Sequence, residues 1–149
     1  MRFKLAAALV LVCLAARVVG AAEPIRVVVW DERQPKQKQA YPDFLGNQIA
    51  RALGVRPGLS VKSVALDDAG QGISERVLDQ CDVLIWWGHV RQGLIKPDQG
   101  KRIVERIQVG KLSLIALHSA HWSTPFIEAM NARSKEDALK QLPATARDR

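Results

Sequence analysis

Residues 25–30 read IRVVVW, an apolar run broken by a single arginine, and this run decides the fold. Runs of β-branched residues are typical of a strand that is buried on both faces of a parallel sheet. Three later segments have the same character and predict three further strands: 59–66, 82–87 (DVLIWW) and 112–117 (LSLIAL).

Helical patterns alternate with these runs. Helices are predicted at 42–53, 75–79, 97–110 and 122–130. Strands that alternate with helices favour βαβ units and right-handed crossovers. We therefore predict a three-layer, flavodoxin-like, doubly wound parallel α/β sheet, with strand 1 between strands 2 and 3, and strand 4 beyond strand 3.

The first 22 residues have the pattern of a signal peptide. Arg2 and Lys4 precede the apolar run Leu5–Ala16, and small residues follow at 19–22. The run is shorter than the roughly 20 residues that a membrane span needs, so an uncleaved anchor is the weaker alternative. We predict an exported protein, periplasmic or secreted, without stable membrane association after cleavage.

The charge and the cysteine content bear on two properties, nucleic-acid binding and disulfide formation. Cleavage removes three basic residues and no acid, which lowers the formal net charge from +7 to +4. The remaining basic residues are scattered rather than arranged in a stripe, which argues against a nucleic-acid partner. Cys81 alone remains, so no internal disulfide can form, and its position before a strand predicts a buried thiol.

The predicted topology gathers the chemically interesting residues at one edge. In open parallel sheets, ligands bind beyond the carboxyl ends of the strands, where the strand order reverses. The segments that leave strands 1, 3 and 4 contain every histidine and every tryptophan of the chain: Trp30-Asp31-Glu32, Trp86-Trp87-Gly88-His89 and His118-Ser119-Ala120-His121-Trp122.

Histidines at this edge support two kinds of chemistry. His89, His118 and His121 supply three nitrogens for zinc, with one position open for water or substrate, although their spacing matches no known zinc signature. Without a metal, His118 or His121 serves as a proton donor and acceptor, with Glu32 as a further candidate base. Ser119 lacks the glycine-flanked elbow of a serine nucleophile, so we assign it to binding.

The tryptophans suit a sugar ligand. Their flat apolar faces stack on sugar rings, while imidazoles and carboxylates bind the hydroxyl groups. Packing in the core explains any single tryptophan equally well. The predicted substrate-binding residues are Trp30, Asp31, Trp87, Gly88, Ser119 and Trp122.

Four segments resemble the ThuA-like (trehalose-utilisation) family: VVVWDE at 27–32, AYPDFLGNQIARAL at 40–53, DVLIWWGH at 82–89 and LHSAHW at 117–122. The resemblance spans about residues 25–131. It implies a fold related to class I glutamine amidotransferases and a role in the use of trehalose or a related or oxidised sugar. It places His118-Ser119 near the amidotransferase cysteine, and the lack of a cysteine there disfavours amidotransferase activity.

Members of this family continue beyond this length, so the resemblance also implies a domain that is incomplete at its carboxyl end. We expect a ThuA-like domain at 23–133 and a charged tail, helical or frayed, at 134–149. The outer edge of strand 4 would then be open to self-association or to a missing half. Three functions stay open: a sugar-active enzyme, a non-catalytic sugar-binding module, and an inactive remnant.

Overall fold

A computed structural model describes residues 22–146 as an α/β fold around a four-stranded, all-parallel sheet. The strands are β1 (Ile25–Asp31), β2 (Leu59–Ala65), β3 (Val83–Trp87) and β4 (Ser113–Ala116). Their order is β2-β1-β3-β4, which confirms the predicted order and is compatible with a flavodoxin-like fold.

Four helices connect and follow the strands: α1 (Leu45–Gly54), α2 (Glu75–Leu78), α3 (Pro97–Gln108) and α4 (Thr124–Gln141). Among residues 22–146, no helix has both the length and the apolar character needed to cross a membrane. The signal peptide predicted at 1–22 lies, apart from Ala22, outside the described residues.

Two helix boundaries differ from the sequence prediction by three residues or more. α1 begins at Leu45 rather than at 42, because Phe44 before it has an extended backbone with ψ 152°. α4 extends to Gln141 rather than ending near 130, and it passes without interruption through the boundary expected at 133. Its second half is rich in good helix formers and carries an ion pair between Arg133 and Asp137 one turn apart.

The core lies on both faces of the sheet. On one face, Trp30 and Trp86 pack with Leu84, Leu78 of α2 and Ile103 of α3. The alternation of side chains along a strand sends their neighbours to the opposite face. There Val27, Val29 and Ile85 pack against α1 through Ile49 and Leu53.

The second face is covered unevenly. α1 packs on β1 and β2, whereas Ile115 of β4, the register partner of Ile85, is 46% exposed. α4 packs on α3 instead of covering this face, and the two helices approach closely at Gly100, where an added Cβ would lie 2.9 Å from Thr124 Cγ2. Within residues 22–146, the outer part of this face therefore has no helical cover.

Candidate functional site at the carboxyl edge of the sheet

Three strands end side by side at the predicted edge. Asp31 of β1 is in register with Trp87 of β3, and Trp86 is in register with Ala116 of β4. The segments that follow these strands are thus neighbours, as the predicted topology required. They carry all three histidines on one edge of the molecule.

Hydrogen bonds join the segments that follow β3 and β4. Ser119 Oγ donates to the carbonyl oxygen of Gly88 at 2.8 Å, and Gln92 Nε2 donates to the carbonyl oxygen of Ser119 at 2.9 Å. Both Ser119 and Gln92 are buried. A Cβ at position 88 would lie 2.9 Å from Gln92 Cβ and 3.2 Å from Glu32 Oε2, so glycine lets the segment after β3 fold back closely on itself and on Glu32.

His118 has an unusual backbone conformation. Its φ is +46°, in the left-handed region that residues other than glycine, asparagine and aspartate seldom enter. It directly follows the strand-end segment of β4 and opens a short 3-10 helix, His118–Trp122. Arg33 at the same edge has a similar φ of +48°, but hydrogen bonds to Asp31 and Asn47 hold its amide and its side chain. Such conformations cost free energy and concentrate at functional sites. Because no side-chain hydrogen bond within the described residues offsets the cost at His118, this residue is the one that most needs a functional explanation.

The other two histidines are also accessible. His89 and His121 are exposed, like His118. His121 Nδ1 lies 3.1 Å from the carbonyl oxygen of His118, which holds the ring near the strained turn. The His121 ring lies 5.2 Å from the Trp122 ring at an angle of 50°. The edge therefore presents imidazoles next to one large aromatic surface.

The tryptophans divide into two groups. Trp30 and Trp86 are buried and stack at 3.8 Å between ring centroids, and Trp30 Nε1 donates to the carbonyl oxygen of Gln71 at 2.8 Å. Trp30, which we predicted to bind substrate, therefore lies in the core. Trp87 is half-buried on the opposite face, and Trp122 is 69% exposed. Only Trp122 offers a wide accessible surface at the edge.

The two carboxylates of this edge are buried and fully occupied by local partners. Asp31 accepts hydrogen bonds from the backbone amides of Arg33 and Gly46 and from Gln37 Nε2 at 2.7–2.8 Å. Glu32 accepts from the backbone amides of Val90 and Arg91 and from Gln34. The structure therefore places both side chains behind the loops that carry the site rather than on the accessible surface.

The three histidines do not form a preassembled metal site. Within the described part of the chain, no group of three His, Cys, Asp or Glu side chains is arranged to hold a metal ion. The zinc site predicted from His89, His118 and His121 thus stays a prediction, and no catalytic step below depends on it.

Sequence reasoning missed two buried glutamines that organise the edge. Gln37 holds Asp31 and also accepts the Leu45 amide at 2.8 Å, and Gln92 joins the β3 and β4 segments. Neither has a motif that distinguishes it from a surface glutamine. The 3-10 turn Pro35–Gln39, inside a segment predicted as a loop, is what directs Gln37 inward.

Several clefts of the described residues lie away from the histidines. A cleft between α3 and α4 is lined by residues such as Lys101, Gln108 and Glu128, and hollows at the opposite edge surround Arg26 and Asp82. His89, His118 and His121 line none of these clefts, and all three are exposed. A ligand at the histidine edge would therefore meet accessible imidazoles.

Comparisons with known proteins add no relative. No protein-family model matches the chain, and no curated protein matches it.

Proposed function

We propose that this chain is an exported protein of the ThuA-like family, with a fold related to class I glutamine amidotransferases, that acts in the use of trehalose or a related or oxidised sugar. The proposal places sugar binding at the carboxyl edge of β1, β3 and β4. Three of the four segments that resemble the family in sequence, 27–32, 82–89 and 117–122, lie side by side at this edge, which supports the proposal without depending on any single residue.

The observation that carries the proposal is the strained turn at His118. A φ of +46° in a histidine at the end of a parallel strand is costly, and packing gives no return for it because the side chain is exposed. A functional demand on the imidazole explains the cost. In the proposed enzyme, His118 and His121 move protons to and from sugar hydroxyls, and Trp122 stacks on a sugar ring.

Amidotransferase chemistry fits the chain poorly. The position after β4 holds His118 and Ser119, and Ser119 Oγ is committed to the Gly88 carbonyl oxygen. The cysteine of the described residues, Cys81, is buried at the amino end of β3, and burial raises its pKa from 9.0 to about 11. A thiol in that state is a poor nucleophile.

A sugar-binding module without turnover is the second candidate. It is favoured by one observation, the exposure of the three histidines and of Trp122, because catalysis usually excludes water from the reacting groups. Trp122 on an open surface is sufficient to bind a sugar by stacking. The two candidates share a site and differ only in turnover.

The test is whether the purified chain binds and hydrolyses trehalose or an oxidised disaccharide, such as a lactone or a uronic acid. Calorimetry reports binding, and release of monosaccharide reports hydrolysis. We expect Trp122→Ala to weaken binding about fivefold, since stacking on an aromatic ring contributes on the order of 1 kcal/mol. We expect a loss of similar size in His118→Ala, which removes a hydrogen-bonding group. Val109→Ala, an equally exposed apolar site at the end of α3, is the matched control and should bind as the parent does.

The outcomes separate the candidates. Binding with hydrolysis that is lost in His118→Ala supports the enzyme, whereas binding without hydrolysis supports the module. Equal affinity of the parent, His118→Ala and Trp122→Ala would overturn the site. Metal analysis of the parent and of His118→Ala and His121→Ala decides the zinc prediction separately, because stoichiometric zinc that both variants lose would confirm it.

A further inference from the structure

Glu32 is a charged residue in a place that is costly for charge. Its side chain is 0% exposed at the end of β1. Burial of a carboxylate is unfavourable unless hydrogen bonds replace the lost water. Here the Arg91 amide donates to Oε2 at 2.7 Å, the Val90 amide donates to Oε1 at 2.9 Å, and Gln34 Nε2 donates to Oε1.

These donors follow a site residue directly. Val90 and Arg91 are the two residues after His89, so Glu32 fixes the backbone at the point where that histidine is attached. Arg91 Nη1 also donates to the carbonyl oxygen of Glu32 at 3.2 Å, which closes a reciprocal contact between the segments after β1 and β3. His89 itself is exposed and lies outside this contact.

The next residue extends the connection to β4. Gln92 donates to the Ser119 carbonyl oxygen at 2.9 Å, and Ser119 follows the strained His118. Glu32 is therefore connected to the segment that carries His118 by its hydrogen bonds to the 90–91 amides, by the covalent chain to residue 92, and by the Gln92 side chain. The three strand-end segments are thus joined.

We propose that Glu32 is a positioning residue for His89, acting through the Val90 and Arg91 amides, and that it takes no part in proton transfer. The inference rests on the proposed function, because it assigns a role within the same histidine edge. This role replaces the base role predicted for Glu32 from sequence. The carboxylate has no contact with solvent and its oxygens accept hydrogen bonds from amides, so it is poorly placed to take a proton from a ligand.

The chemistry explains why a carboxylate is needed. A carboxylate accepts hydrogen bonds on both oxygens, whereas the glutamine amide has one acceptor oxygen and an NH2 group that cannot accept. Glu32→Gln therefore keeps the size of the side chain but sets an N–H donor against a backbone N–H donor. Either the 90–91 turn moves or one amide loses its partner.

The experiment records imidazole Cε1–Hε1 NMR signals and amide hydrogen exchange in the full chain, with trehalose binding measured in parallel. In Glu32→Gln we expect the largest shift in the His89 signal, faster exchange at Val90 and Arg91, and much smaller shifts of the His118 and His121 signals, which are connected to Glu32 only through the Gln92 side chain. Glu32→Asp, which is one methylene shorter, should not restore the parent spectrum. The control is Asp67→Asn, which removes the ion pair of the Arg91 side chain but leaves the Glu32–amide contacts in place.

A purely structural role predicts a different result. If Glu32 only stabilised the fold, Glu32→Gln would lower the melting temperature, and below that temperature the His89 signal would not change more than the other histidine signals. An unchanged His89 signal in folded Glu32→Gln, or equal shifts of all three histidines, would overturn the inference. The NMR measurement needs no sugar, so absence of trehalose binding in the parent would contradict the proposed function while the role of Glu32 is still decided.

Discussion

Cys81 shows how the environment of one residue suppresses its reactivity. It is almost completely buried before β3, and burial disfavours the thiolate, which raises its pKa from 9.0 to about 11. In a Cys13→Ser background we expect Cys81 to resist a thiol reagent at pH 8 in the native state and to react at once in denaturant. The absorbance of the thiolate that the reagent releases reports the rate of labelling, and rapid labelling of the native protein would contradict the burial of Cys81.

The Arg26–Asp82 ion pair predicts a dependence of stability on pH. Hydrogen bonds from Arg26 lower the pKa of Asp82 from 3.8 to about 2. Because the folded-state pKa is depressed, the pair stabilises the fold above about pH 4, and this contribution disappears as the pH falls from about 4 to 2. The side chains are 45% and 37% exposed, so screening by solvent keeps this contribution small.

Thermal melts of Asp82→Asn and the parent check this expectation. The variant should melt at a lower temperature at pH 7, and the difference should shrink toward zero near pH 2. Glu105→Gln, which changes an exposed carboxylate within α3, serves as the control and should show no comparable change. A difference between Asp82→Asn and parent that persists undiminished at pH 2 would contradict the assignment.

At the scale of single residues, the sequence alone predicted which side chains share the carboxyl edge of the sheet, but not which of them are buried. The three histidines were predicted to share one edge because strand ends meet there, and they do. The burial of Trp30 depends on its register with Trp86, and the burial of Glu32 depends on amides 58 and 59 residues away. Such long-range pairings are set by the folded chain and leave no local pattern.

Within the helices, the close packing of α1 on β1 gives a paired prediction. Gly46 donates its amide to Asp31 Oδ2 at 2.7 Å, and an added Cβ would lie 2.6 Å from Asp31 Cβ. Gly46→Ala should therefore destabilise the fold by about 1–3 kcal/mol, although alanine favours helices. Gly54, at the other end of α1, has open space around its Cα, so Gly54→Ala should be neutral or stabilising by about 0.5 kcal/mol.

Chemical denaturation of both variants and the parent measures this contrast. The two substitutions are identical in chemistry and lie in the same helix, so the difference between them isolates the contact with Asp31. Equal stability of Gly46→Ala and Gly54→Ala would show that α1 can move away from β1 at little cost, and the close packing would then not be a determinant of stability.

The predictability of the elements follows from how local their signals are. β1 and β3 were recognised from continuous apolar runs, and their observed bounds differ from the predicted ones by one residue. The end of α4 was not recognised, because that helix has few buried residues and hence little apolar periodicity. Beyond residue 130 the helix is favoured by the helix propensity of its residues, and propensity is a weak signal in a sequence.

For the molecule as a whole, the outer edge of the sheet is the least protected surface. The amides of Ser113 and Leu117 donate to β3 at 2.9 Å, so the alternation of a parallel ladder turns the backbone groups of Leu114 and Ala116 outward. Residues 112–117 contain no charge and no proline, the usual guards of an edge strand. Ile115 beside this edge is 46% exposed and adds apolar surface.

Such an edge predicts association between copies of the chain. We expect light scattering to show a mass that rises with concentration for the parent and a constant mass for Ile115→Lys, because a lysine places charge on the uncovered face. Val55→Lys adds the same charge at a site that is 77% exposed and remote from β4, so it should associate as the parent does. If Val55→Lys suppresses association equally, net charge rather than the β4 edge controls it. If the parent stays at one mass throughout, backbone groups at this edge are satisfied by water alone.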